Sequence, residues 1–118
     1  MNIVVVGMGE VGKNIAQYLS REKHDVTIID NSATALAEAE EVMDVLALMG
    51  PGGSLATLRK AEAGKADLLI AVTDDEEVNL LCAHTAKELG AKKVIARVSS
   101  QDYSEGETGF YHSILGIE

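Results

Sequence analysis

The strongest chemical signal in the chain is a six-residue run near its start, Gly7-Met8-Gly9-Glu10-Val11-Gly12. A G-x-G-x-x-G spacing is weak alone, because 11 glycines in 118 residues produce such spacings by chance. Its weight comes from its place. The apolar run Ile3-Val4-Val5-Val6 leads straight into it and a helical pattern leaves it, the strand–turn–helix context in which this motif binds a dinucleotide. Each glycine then has its own role. Gly7 permits the tight turn, Gly9 lets the main chain approach a pyrophosphate, and Gly12 lets helix and strand pack closely. The free N–H groups and dipole of the helix N-terminus face the phosphates. The whole run, from Gly7 through Met8, Gly9, Glu10 and Val11 to Gly12, is therefore the expected phosphate-binding segment.

Asp30 adds to this reading. It ends the second apolar run, 18 residues after Gly12, where a carboxylate accepts hydrogen bonds from an adenosine ribose. Capping the next helix is the alternative role, and one carboxylate can serve both. Asn31-Ser32-Ala33 supply no Arg or Lys to meet a 2′-phosphate, so charge repulsion favours NAD over NADP. The run Gly7 to Gly12-Lys13 also reads as the start of a nucleoside-triphosphatase phosphate loop. That motif needs Ser or Thr next to hold Mg²⁺, and this chain has Asn14.

Other polar residues carry less. Asp74-Asp75-Glu76-Glu77 reads as a helix N-terminus complemented by negative charge, with a cation site as the rival. His24, His84 and His112 are scattered without metal-ligand spacing. Cys82 falls on an apolar helical stripe, which favours packing over reactivity. Arg97, a lone cation at the carboxyl end of an apolar strand, is open to two readings: a phosphate or partner contact, or a surface salt bridge.

These residues need a scaffold, and the periodicities supply one. Strands are expected at Ile3 to Val6, Val26 to Ile29, Val45 to Leu48, Leu68 to Val72 and Val94 to Val98, each a short apolar run of the kind buried on both faces of a parallel sheet. Val11, Ile15, Tyr18 and Leu19 form the stripe of the first helix. Asn31 or Ser32 caps a second through Glu40, and Ser54 caps a short one carrying Leu55 and Leu58 after the punctuation Gly50-Pro51-Gly52-Gly53. Thr73 and Glu76 read as a capping box ahead of a helix with a Val78, Leu81, Cys82, Thr85, Leu89 stripe, and Gly90 fits its C-terminus. After Ser99 the signal weakens: Gly106 and Gly109 interrupt any helix from Tyr103. Leu115-Gly116-Ile117-Glu118 reads as the approach to a strand that never arrives. The expected fold is a single α/β domain over residues 1–118, a Rossmann-type doubly wound parallel sheet of order 3-2-1-4-5 with the sixth strand absent or incomplete. The chain reads as a fragment of a longer protein.

Composition narrows the class. A formal charge of −9 and only three tyrosines and one phenylalanine argue against nucleic-acid binding, which calls for clustered Lys and Arg and stacking aromatics. No window approaches the roughly 18 apolar residues of a spanning helix, and Met1-Asn2 has no signal-peptide features. A single cysteine agrees with a reducing compartment. A soluble, cytoplasmic domain without direct membrane insertion is expected.

Taken together, Ile3 to Gly12, Val26-Thr27-Ile28-Ile29-Asp30, Ala66 to Asp74, Glu77-Val78-Asn79 and Val94 to Val98 resemble the N-terminal nucleotide-binding domain of Trk-type potassium-uptake regulators, the KTN or RCK domain, over residues 1–103. The Ala-Val-Thr-Asp segment followed by Glu-Val-Asn is more specific to that family than the glycine motif. The resemblance implies a regulatory domain on the cytoplasmic face of the membrane. It would bind NAD(H), or ATP, ADP or AMP, and act on a K⁺ transporter or channel as a homo-oligomer, at least a dimer. Carried over, it gives the phosphates to the glycine run, the ribose to Asp30 with Asn31 beside it, the rest of the ligand to Thr73 and Asp74, and a further contact to Arg97. Gly50-Pro51-Gly52-Gly53 departs from the family's usual Gly-Asp and small polar residues, where the loop borders the adenine. The glycines between Glu105 and Gly109 and the abrupt end depart as well.

Two functions follow from these residues. One is a non-catalytic regulatory nucleotide sensor, favoured by the resemblance and by the lack of a convincing acid–base pair. The other is the cofactor domain of an NAD-dependent dehydrogenase, since the glycine motif alone does not decide function.

Overall fold

The computed structural model describes residues 1–98. Strands β1 (Asn2–Val6), β2 (Asp25–Asp30), β3 (Leu46–Met49), β4 (Leu68–Ala71) and β5 (Val94–Ala96) alternate with helices α1 (Glu10–Arg21), α2 (Ala33–Val42), α3 (Leu55–Lys60) and α4 (Glu76–Leu89). A 3₁₀ turn at Ala63–Lys65 precedes β4. All neighbouring strands pair in parallel, in the order β3-β2-β1-β4-β5, as the alternation of short apolar runs and helices predicts. The sixth strand and the segment from Tyr103 to Glu118 lie outside the described residues. Among those described, no helix is long and apolar enough to cross a membrane.

Runs without polar alternation feed two cores at once. Ile3 and Val5 pack with Val26, Ile28, Ala16, Leu36 and Ala39, on the side of α1 and α2. Val4 and Val6 pack with Ile29, Leu69, Leu58, Cys82 and Ala83, on the side of α3 and α4. Burying side chains of this size stabilises by roughly 1.5–3 kcal/mol each, and every one of β1's four apolar residues contributes.

Two helical stripes differ from expectation by a step around the helix. On α1 the buried residues are Gly12 and Ala16, whereas Val11 is 41% and Tyr18 65% exposed. On α4 the inner face is Asn79, Leu80, Cys82, Ala83 and Ala86, and Leu81 is 52% exposed. The shift brings small residues inward, Gly12 and Ala16 on α1 and Cys82, Ala83 and Ala86 on α4, where Leu80 joins them.

The ends of the strands keep their ladder running toward the site. The Val72 N–H donates to the Val6 carbonyl at 2.8 Å, and Gly7 N–H to the Ile29 carbonyl at 2.8 Å. β5 stops at Ala96 rather than Val98, yet the Arg97 N–H still reaches the Ala71 carbonyl at 2.9 Å.

Candidate functional site

The carboxyl ends of β1 to β4 open on one cleft of about 440 Å³. β1 lies between β2 and β4 there, so consecutive connections leave in opposite directions and the sheet parts to make a crevice. Of the residues singled out from the sequence, Gly7, Gly9, Asp30, Asn31, Thr73 and Asp74 line it. Asp75, Val78 and the Gly50–Gly53 loop complete its walls.

The glycine turn divides its labour as the motif requires. Gly7 has φ +105°, and a Cβ on it would stand 2.9 Å from the main chain of Val72 and Thr73, so only glycine fits. A Cβ on Gly12 would collide with the Gly7 carbonyl. A Cβ on Gly9 would meet no atom of the described residues within 4 Å, its chain neighbours and own helix backbone aside, so the position is open toward the cleft. Gly9 is also the N-cap of α1, and no side chain among the described residues caps that helix. Helices α2, α3 and α4 are capped by Ser32, Ser54 and Asp75. The first-turn N–H groups of α1 are thus left to another acceptor. Met8 turns its side chain into the core. Glu10 and Val11 are exposed and, with Met8 and Gly12, do not line the cleft.

Asp30 does two structural jobs at the cleft. Its Oδ2 accepts the Met8 N–H at 2.7 Å, and its Oδ1 accepts the Ser32 N–H at 2.7 Å. The carboxylate therefore clips the glycine turn to the end of β2 and starts the turn into α2, while Ser32 is the actual cap, accepting from Ala35 N–H at 3.1 Å. Two carboxylate oxygens offer about four acceptor sites, and the two main-chain N–H groups use two of them.

Thr73 is not the helix cap that the capping box predicts. Asp75 is, with Oδ1 accepting from Glu77 and Val78 N–H at 3.0 and 3.2 Å. The Thr73 hydroxyl is engaged instead by buried Asn79, 2.6 Å from its Oδ1. Asn79 also accepts the Thr73 N–H at 2.9 Å and donates to the Thr73 carbonyl at 3.1 Å and the Arg97 carbonyl at 3.0 Å. The acidic run Asp74 to Glu77 is a capped helix start, and the described residues hold no group of His, Cys, Asp or Glu placed to bind a metal.

Arg97 is not brought into the cleft. It lines a separate apolar groove with Ile15, Tyr18 and Ile95, beside α1. Cys82 is buried and burial pushes its thiol pKa up to about 12, which makes it packing rather than chemistry.

A family model described as the TrkA-N domain matches residues 3–109. The chain belongs to the TrkA-N domain family. It is 38% identical over 116 residues to a Trk system potassium uptake protein TrkA homolog from Methanothermobacter thermautotrophicus, covering 97% of this chain and 54% of that protein. The chain thus spans about half the length of that relative. Among solved structures it is similar to the TrkA-N domain of the inner membrane protein ybaL from Escherichia coli, with TM-score 0.84, 21% identity, and 99% of this chain and 83% of that chain covered. The GsuK channel bound to NAD gives TM-score 0.76 at 17% identity, covering 88% of this chain and 19% of that chain. At such identities the structures share a fold.

Within this TrkA-N domain the cleft is acidic. Its charged lining residues are Asp30, Asp74 and Asp75, with no Lys or Arg among the described residues that form its walls. Attraction for an anion must come from main-chain N–H groups and the α1 dipole. The Gly50–Gly53 loop presents main chain to the cleft because it lies flat: a Cβ on Gly52 would be 2.5 Å from Val6 Cγ1, and one on Gly53 3.1 Å from Leu81 Cδ2. Asn79 stands in the sequence only as part of the Glu-Val-Asn segment, with no site role assigned to it. Its spacing with Cys82, Ala83 and Ala86 marks an inner helical face, and a polar residue on such a face was the available signal.

Proposed function

We propose that this TrkA-N domain is a non-catalytic nucleotide sensor that binds NAD(H) and regulates a membrane K⁺ transporter or channel. One observation carries the reading: the uncapped start of α1, open at Gly9, faces the same cleft as the Asp30 carboxylate. An adenosine diphosphate moiety matches that pair, its phosphates at the N–H groups of α1 and its ribose hydroxyls at Asp30. ATP, ADP and AMP share the adenosine and part of the phosphate chemistry, and are the alternative ligands. Residues 1–118 form one nucleotide-binding domain of a longer protein in this reading.

The transport role is supported by the name of the M. thermautotrophicus relative, a potassium uptake protein, and NAD by the similarity to a GsuK channel whose structure holds it. A sensor rather than a dehydrogenase is supported by the same relative's name, a potassium uptake protein rather than an oxidoreductase. The protein would sit in the cytoplasm, peripheral to the inner face of the plasma membrane through its partner. It would assemble at least as a dimer, since β3 and β5 are sheet edges among the described residues.

Calorimetric ranking of NADH, NAD⁺, ATP, ADP and AMP tests the reading. Saturable binding of at least one is expected. No binding of any at millimolar concentration contradicts it, and hydride exchange from NADH by the protein alone would make it an enzyme.

A further inference from the structure

We propose that Asn79 is a positioning residue of the cleft and the link through which a bound nucleotide is felt at the end of β5. The proposal rests on the nucleotide reading above and deepens it. Asn79 is 1% exposed, and its amide makes four hydrogen bonds, which is the side chain's full ordinary capacity of two donors and two acceptor lone pairs. Three of them go to Thr73: to its N–H, its carbonyl and its hydroxyl. β4 ends at Ala71, so the side-chain amide takes the place of a strand partner for the residue that lines the cleft. The fourth bond reaches the Arg97 carbonyl, just past the end of β5.

The chain of contacts is continuous. The Gly7 turn packs so closely on the segment just past β4 that a Cβ there would lie 2.9 Å from Thr73 N. Thr73 is held by Asn79, and Asn79 holds Arg97. A ligand that fixes the glycine turn therefore fixes Thr73, and one buried amide passes the constraint on. Loss of any of its bonds strands a buried polar group, so the amide cannot slip past one neighbour and keep the other. Arg97 is exposed and lies where the chain leaves the described sheet.

NMR of the isotopically labelled full chain, titrated with NADH, tests the link at three places: the Gly9 amide, the Asn79 side-chain NH₂ and the Arg97 carbonyl carbon. All three are expected to shift with one midpoint. A moving Gly9 with unmoved Asn79 and Arg97 overturns the proposal and leaves the nucleotide reading intact. If Gly9 does not move either and no NADH binds, the nucleotide reading fails and takes this proposal with it. In Asn79→Ala the NADH affinity is expected to fall roughly tenfold, the scale of one hydrogen bond's loss. At saturating NADH its Gly9 amide should still shift while Arg97 no longer follows. An Arg97 response of undiminished size in that variant overturns the link. Should the variant fail to fold, the three-point titration of the wild-type chain decides alone.

Discussion

Asp30, at the end of β2, reaches back to the turn after β1 and accepts the Met8 N–H at 2.7 Å. The residue that would bind the ribose thus also fixes the loop that would bind the phosphates. Shape and recognition share one carboxylate, and a change there acts on both.

Asp30→Ala is accordingly expected to weaken NADH binding by about 1–3 kcal/mol, the cost of leaving polar partners unmatched. It should also lower thermal stability, because the Met8 and Ser32 N–H groups lose their acceptor. Asp30→Asn keeps one acceptor oxygen and should lose less of both. Calorimetry and thermal unfolding on the same samples check this; a variant with intact affinity would remove Asp30 from the site.

Gly9 and Gly12 should separate binding from folding. Gly9→Ala adds a methyl to open space, so stability should stay within about 0.5 kcal/mol while NADH affinity falls. Gly12→Ala drives a methyl against the Gly7 carbonyl and should destabilise by about 1–3 kcal/mol. Denaturant unfolding reads the two against each other. Equal stability loss in both would mean that Gly9 is not the open position.

The acidic cleft predicts an unusual salt response. Its charged lining is Asp30, Asp74 and Asp75, on a chain of net charge −9. Raising ionic strength from about 0.01 to 0.1 M shortens the Debye length from roughly 30 to 10 Å and weakens the repulsion of an anionic ligand. NADH affinity should rise modestly across that range. A steep fall would point to a cation at the site.

Cys82 gives a pH signature at the alkaline end. Its native pKa is raised by burial from 9.0 to about 12. Below pH 9 both states keep the proton and the residue adds no pH dependence. Above it the unfolded chain ionises first, so wild-type stability should fall relative to Cys82→Ala by up to roughly 1.4 kcal/mol per pH unit, until about pH 12. Unfolding curves at a series of alkaline pH values check the slope, and parallel curves for the two proteins would contradict it.

The sheet, its order and the glycine turn were legible because they rest on local rules: apolar runs for buried parallel strands, and a fixed spacing of residues without side chains. The place of Asp30 at the end of β2 was legible for the same reason, since the apolar run stops at a carboxylate. Three features were not. The inner faces of α1 and α4 are set by how each helix lies on the sheet, so Gly12, Ala16, Leu80, Ala83 and Ala86 go inside while Tyr18 and Leu81 stay out. The Thr73 hydroxyl is committed to a buried amide six residues along, which leaves capping to Asp75. Arg97 lies near the carboxyl end of the expected strand but faces the groove beside α1 rather than the cleft. Each depends on tertiary distance, which local pattern does not encode.

The most direct measurement is a fluorescence titration of the protein with NADH and, in parallel, NADPH. The proposed ribose contact of Asp30, with no Lys or Arg among the described residues lining the cleft, predicts saturable NADH binding and an NADPH affinity at least roughly tenfold weaker, about 1.4 kcal/mol. Equal affinity for the two, or no saturation by NADH, would contradict the account.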